Sequence, residues 1–359
     1  MTLTGLPTLF VAIAISLSFF LFILLFWKKL FKPGFKNFFF RASILIIANV
    51  IMIATIGIGF NRSQGFFSSW RDLFGNSQDF SGHTVSYASF VSPNTLKKGK
   101  LLKGGYVLLT ETIEGKNSRV SNQVTVLLPP QAILDIKRGN SLANGNFRVV
   151  EFLTGFPSQP IMWFQALDLL KFITHYNNTN SQQIIGVIPQ VNIEGKYDLE
   201  CMNLPGEHPQ AETWLTDDMH DYISQRFGIN SQKWALMGVS TGGWCASMFA
   251  IKRPDLYRGA VSIAGYYRPA LPLTDPIDLQ KAMTLKYDLA NFEGQLTNKV
   301  PLYLFASVGD VYSIRETRRF LAKPHPNLAI DYVEKNLGGH NSRVWRSAIS
   351  GGLKWISQL

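Results

Sequence analysis

The sequence predicts an α/β protein: a mostly parallel sheet with helices on both faces, preceded by a hairpin of two membrane-crossing helices. Three observations predict it. Two long uncharged runs open the chain, strands and helices alternate from Gly105 onward, and a Gly-x-Ser-x-Gly turn stands between a buried strand and a helix start at residues 238–242. A chain of 359 residues has room for one α/β domain of about 250 residues and an additional segment.

The hairpin comes first. Met1 to Trp27 carries no charged side chain, and neither does Ala42 to Asn61. A helix needs ~20 residues to cross a hydrocarbon core, so spans are expected at about residues 6–27 and 42–60. A cleavable signal peptide would show a basic start and a small-residue cleavage site, and neither is visible. Lys28, Lys29, Lys32, Lys36 and Arg41 cluster between the two runs, in a connector over residues 28–41. Such a cluster is retained in the cytoplasm, which places both ends of the hairpin, and whatever follows it, outside. The expected organisation is a transmembrane hairpin at 1–61, a juxtamembrane linker at 62–104 and a catalytic domain at 105–359. In the linker, Phe66, Phe67, Trp70, Leu73 and Phe74 lie close together, as rings at a membrane–water boundary or as a short cap on the domain.

The net charge of +11 does not indicate nucleic acid binding. Five of the positive charges belong to the connector, and the rest form no basic stripe with interleaved aromatic residues. A basic surface facing anionic lipid or wall polymer fits better.

Each element of the domain follows in order. Tyr106–Ile113 and Gln123–Leu128 form a strand pair, and Pro129-Pro130 ends the second because proline cannot donate to a ladder. Phe147–Leu153 is a continuous apolar strand leading into Thr154-Gly155-Phe156-Pro157. Ile161–Tyr176 has helical periodicity, and Gln183–Ile188 reads as a buried strand. Ala211–Phe227 is an amphipathic helix, Trp234–Val239 a strand, and Thr241–Arg253 a helix stopped by Pro254. Strands at Gly259–Ile263, Val300–Ala306 and Leu328–Val333 and a helix from about Ser342 to Ser357 complete the pattern.

The chemistry centres on Gly238-Val239-Ser240-Thr241-Gly242. Small residues on both sides let the backbone make a sharp turn that lifts the hydroxyl above the sheet, as in the α/β-hydrolase fold. A serine nucleophile needs a base and an acid that orients the base, and in this fold both follow the serine in chain order. Ser307-Val308-Gly309-Asp310 supplies a carboxylate after a strand, and Leu337-Gly338-Gly339-His340 supplies an imidazole after the next. His83, His175, His208 and His220 precede the serine, and His325 lies between two prolines in what reads as a surface turn. Glu316 is the rival acid, although its place on a helix beside Arg315, Arg318 and Arg319 favours Asp310. The backbone N–H groups of Thr241 and Phe156 are the expected oxyanion donors. Phe156, Trp163, Trp214, Trp244, Tyr266 and Tyr267 are candidate pocket walls or plain packing.

Glu212-Thr213-Trp214-Leu215-Thr216, the serine turn, Val261-Ser262-Ile263-Ala264-Gly265-Tyr266 and Gly338-Gly339-His340 together resemble the Putative esterase family. This is the esterase D-like group that also holds the antigen 85-type mycolyltransferases, and the likeness is greatest to its membrane-anchored actinobacterial members. It runs roughly from Gly105 to Leu359. Residue by residue, the resemblance implies Ser240 as nucleophile, His340 as base and Phe156 and Thr241 as oxyanion donors. The glycine-led Asp310 loop resembles the esterase branch, whereas the mycolyltransferases use Glu.

The expected function is therefore an extracytoplasmic, membrane-anchored serine esterase acting on an ester or acyl-lipid substrate beside membrane lipid. It needs no cofactor or metal, since no zinc-ligand or phosphate-cradling spacing is present. Two alternatives stand beside it: an acyltransferase acting on an envelope sugar or lipid, and a non-catalytic cell-surface binding protein on the same fold. Cys201 and Cys245, the only two cysteines, are expected to form a disulfide in an oxidising compartment.

Overall fold

The structure is a computed structural model, and it describes all residues except 1–2, 4, 31–34, 65–69, 74–82, 85–89, 194–196, 230–232, 273–274, 292–295 and 297. The chain forms two compact units, Met1–Gln78 and Asp79–Leu359.

The first unit is built on the helices Leu6–Leu30 and Phe35–Gln64. Leu9 meets Gly59 and Ser16 meets Thr55, so the two run antiparallel. The Ser16 and Thr55 hydroxyls lie 2.7 Å apart, and Thr55 also donates to Ala12 O and Ile51 O. These hydroxyls are thus satisfied within the helix pair. The apolar windows over Leu6–Lys28 and Asn37–Arg62 have mean hydropathies of 2.9 and 2.3 and almost no buried residues. Both helices are long and apolar enough to cross a membrane. Each helix extends past its apolar run, because charged residues end the run without ending the backbone ladder. Lys28 and Arg41 thus lie on helix. Of the linker aromatics, Phe66, Phe67 and Phe74 lie outside the described residues, while Trp70 and Leu73 sit exposed on the short helix Trp70–Leu73.

The second unit contains ten strands in one sheet: β1 His83–Thr84, β2 Lys100–Leu101, β3 Val107–Glu114, β4 Ser121–Leu128, β5 Phe147–Leu153, β6 Gln183–Pro189, β7 Trp234–Val239, β8 Tyr257–Ile263, β9 Val300–Ser307 and β10 Leu328–Lys335. Their order is β1-β3-β4-β6-β5-β7-β8-β9-β10, with β2 beside β3. From β6 to β10 every pairing is parallel, whereas β4 pairs antiparallel with both β3 and β6. The sheet is mostly parallel and mixed at one side. Along β7, Trp234 and Leu236 pack into one core layer and Ala235, Met237 and Val239 into the other. Burial on both faces is why this strand reads as an unbroken apolar run.

One expectation needs correction and two gain detail. The periodic stretch Ile161–Tyr176 is two helices, Met162–Gln165 and Leu169–Thr179, because Asp168 is left-handed with φ 54°. Arg346 caps the break, pairing with Asp168 at 3.0 Å and donating to Ala166 O. Apolar spacing continued through a break that only the backbone reveals. Pro129-Pro130 does end β4, but Pro130 also starts the helix Pro130–Lys137, where its missing N–H is harmless. The helix over Ala211–Phe227 contains a π-helical turn, Trp214–Asp218. Asp218 there is buried and accepts the N–H groups of Asn117 and Ser118, each at 2.9 Å.

Candidate active site

The parallel strands deliver the candidate residues to one edge of the sheet, beyond their C-terminal ends. β7 ends at Val239, and Ser240 follows with φ 56° and ψ −124° before the helix Thr241–Lys252 begins. Serine rarely adopts positive φ, and the turn that imposes it admits no bulk nearby. A Cβ on Gly238 would lie 1.9 Å from Gly242 O, and one on Gly242 would lie 2.2 Å from Leu153 O. The Ser240 N–H donates to Ile263 O at 2.9 Å, tying the turn to β8.

After β9, Asp310 caps the helix Val311–Leu321 by accepting from Ser313 N at 3.2 Å. Its other oxygen lies 2.5 Å from His340 Nδ1. His340, beyond β10, places Nε2 2.8 Å from Ser240 Oγ. With Nδ1 donating to the carboxylate, Nε2 is left to accept from the hydroxyl. Trp345 packs edge-on against the imidazole, with centroids 4.8 Å apart. The two loops that carry acid and imidazole also touch. Ser307 Oγ donates to Gly338 O at 2.5 Å, and a Cβ on Gly309 would lie 2.5 Å from that oxygen. Asp310 is 4% exposed, whereas the His340 side chain it contacts is 41% exposed, so the carboxylate is enclosed and the imidazole faces outward.

Glu316 is also buried, but its carboxylate serves Arg268, at 2.9 and 3.0 Å, and Arg319, at 3.0 Å. Burial pushes its pKa up, yet these guanidiniums outweigh burial and hold it below the usual value. His325 faces away into its own turn, stacked on Phe320 with Nε2 2.7 Å from Phe320 O. His220 is buried against Trp234, and burial lowers its pKa to about 4.

Gly155 packs directly on the serine, since a Cβ there would lie 2.9 Å from Ser240 Cβ. Phe156 follows, half-buried and joined to Pro157 by a cis peptide. Neither the Phe156 nor the Thr241 N–H donates to a protein acceptor among the described residues. Two free donors near a hydroxyl, an imidazole and a carboxylate are the parts that acyl transfer requires. Of the other aromatic candidates, Trp163, Trp214, Trp244 and Tyr267 are wholly buried packing residues.

Cys201 and Cys245 are joined by a disulfide, with Cα atoms 5.8 Å apart. It ties the loop after β6 to the helix behind Ser240. Two acids on that loop had no sequence signature. Asp198 accepts from the Thr241 hydroxyl at 3.3 Å, and Glu200 accepts from Tyr266 at 2.8 Å and from Ala270 N at 2.7 Å. Burial raises Asp198 to about 6 and Glu200 to about 8, the neighbouring Asp198 adding to the latter shift. Only the folded loop brings these acids beside the serine turn. Among the described residues, no group of three or more His, Cys, Asp or Glu side chains is placed to hold a metal.

The family described as Putative esterase matches residues 124–356, more than half of the chain. An uncharacterized protein of Corynebacterium glutamicum is 22% identical over 230 residues, which cover 58% of this chain and 52% of that protein. The chain thus spans about half the length of the curated relative it matches. Among solved structures, a ferulic acid esterase is similar with a TM-score of 0.59 at 16% identity, covering 70% of this chain and 98% of that one. An S-formylglutathione hydrolase from Agrobacterium tumefaciens gives a TM-score of 0.59 at 14% identity, covering 72% and 97%. MPT51 of Mycobacterium tuberculosis gives 0.53 at 15% identity, covering 70% and 98%. These likenesses show the α/β-hydrolase fold.

Proposed function

Because the chain belongs to the Putative esterase family, we propose that it is a membrane-anchored serine esterase working outside the cytoplasm through Ser240, His340 and Asp310. The observation that carries this reading is the continuous contact from Ser240 Oγ to His340 Nε2, 2.8 Å, and from His340 Nδ1 to Asp310, 2.5 Å. His340 removes the hydroxyl proton as Ser240 Oγ attacks the ester carbonyl, and Asp310 stabilises the imidazolium. The N–H groups of Thr241 and Phe156 receive the negative oxygen of the tetrahedral intermediate. The intermediate collapses, His340 returns the proton to the departing alcohol, and the acyl group stays on Ser240. Water, deprotonated by His340, then releases the acid.

Hydrolysis is preferred over transfer because the acid is the glycine-led Asp310, which resembles the esterase branch. Two apolar helices support the anchor, and the five positive charges between their uncharged runs support the orientation. The full-length protein in detergent should react with a fluorophosphonate at Ser240 and release free acid from p-nitrophenyl esters. Absence of labelling on folded protein would remove the enzyme reading. A dominant acylated product in the presence of millimolar glycerol or sugar would replace hydrolysis by transfer.

A further inference from the structure

We propose that Asn192 is a positioning residue that aims the Phe156 N–H at the oxyanion, an inference that rests on the triad reading above. Phe156 sits in the turn between Gly155 and Ser158, closed by Ser158 N donating to Gly155 O at 2.9 Å. The far end of this turn is held from outside it. Asn192, on the segment after β6, donates from Nδ2 to Ser158 O at 2.6 Å, and Thr154 Oγ1 donates to the same oxygen at 3.4 Å. Asn192 is 6% exposed, and its side-chain oxygen has no protein partner among the described residues. The single strong bond of this amide is therefore the one to the turn.

The anchor itself is rigid. Asn122 on β4 donates to Gln190 O at 2.7 Å, Gln190 N donates to Gln123 O at 2.9 Å, and the Gln190 side chain donates to Asn192 O at 3.3 Å. Asn192 thus references the oxyanion turn to the sheet at Ser158, while Gly155 at the other end of the turn packs on Ser240. An oxyanion donor acts only when fixed before charge develops, so loosening the clamp affects the transition state more than substrate binding.

The test compares Asn192→Ala and the isosteric Asn192→Asp with wild type, all full-length and shown to be folded by thermal denaturation. Asn192→Asp keeps the volume but replaces the donor with an acceptor facing Ser158 O. Both variants are expected to lose about tenfold or more in kcat with KM within about twofold, and to react with the fluorophosphonate correspondingly more slowly. The inference is overturned by a folded variant with unchanged kcat, or by a rise in KM alone. Wild-type protein that does not react with the fluorophosphonate would instead sink the triad reading, a separate outcome.

Discussion

Asp310 and Glu316 lie about one and a half helical turns apart, yet their buried carboxylates have different partners: His340 for the first, Arg268 and Arg319 for the second. The difference arises at the helix start. Asp310 is the residue before the first turn, where its side chain both caps the helix and reaches His340 on the neighbouring loop, while Glu316 lies within the helix among its arginines.

Exchange of the two acids by amides should separate their roles. Asp310→Asn is expected to lower kcat by about 10³ to 10⁴, since the imidazole loses the partner that fixes its tautomer. Glu316→Gln should leave kcat within a few-fold and lower the melting temperature, because Arg268 and Arg319 lose their shared anion. Equal losses of kcat in both variants would contradict this assignment.

Glu151, in the middle of β5, makes stability depend on pH in the opposite sense to a salt-bridged acid. Burial raises its pKa from 4.5 to about 8, only partly offset by the hydroxyl of Tyr257 at 3.1 Å. The folded state therefore binds a proton that the unfolded state has released, and stability falls as pH rises from about 4.5 to about 8. Glu151→Gln, which mimics the protonated acid, should show a flatter profile and a relative gain at pH 8. Urea denaturation at pH 5, 6.5 and 8 measures it; parallel profiles for variant and wild type would refute it.

The disulfide should matter for both stability and catalysis. It closes a segment with a sequence separation of 44, for which a loss of about 2–4 kcal/mol on removal is typical. Replacing Cys201 and Cys245 together by serine should lower the melting temperature. It should also reduce kcat, because the released loop carries Asp198, which touches the Thr241 hydroxyl. Unaltered melting in the double variant would show that the bridge is dispensable.

Orientation in the membrane can be read with reporters. Alkaline phosphatase fused after Arg62 should be active and a cytoplasmic reporter at the same point inactive. The reverse pattern would move the second unit into the cytoplasm.

Much of the parallel sheet was legible because its central strands β5, β6 and β7 are buried almost throughout and so read as short unbroken apolar runs, the second closed by Pro189. The serine turn was legible because steric crowding around Gly238 and Gly242 leaves few other choices of residue. Other features depend on contacts distant in sequence. The left-handed Asp168 is matched by Arg346, and the clamp on Ser158 comes from Asn192. No local pattern encodes such pairs. The helix Pro130–Lys137 is hidden by its own first residue, since a proline pair after an apolar run marks the end of a strand as readily as the start of a helix.

The close approach of Gly309 to Gly338 makes the acid and imidazole loops a single mechanical part, and this bears on how the site tolerates mutation. A methyl group at 309 displaces the Gly338 carbonyl, and one at 338 meets Val344 Cγ2 at 2.5 Å on a backbone with φ 117°. Leu337, one residue away, is 79% exposed and constrained by neither contact. A randomised library across both loops would return glycine at 309 and 338 and diversity at 337, so Leu337 is the position at which this joint can vary without shifting the Asp310–His340 contact.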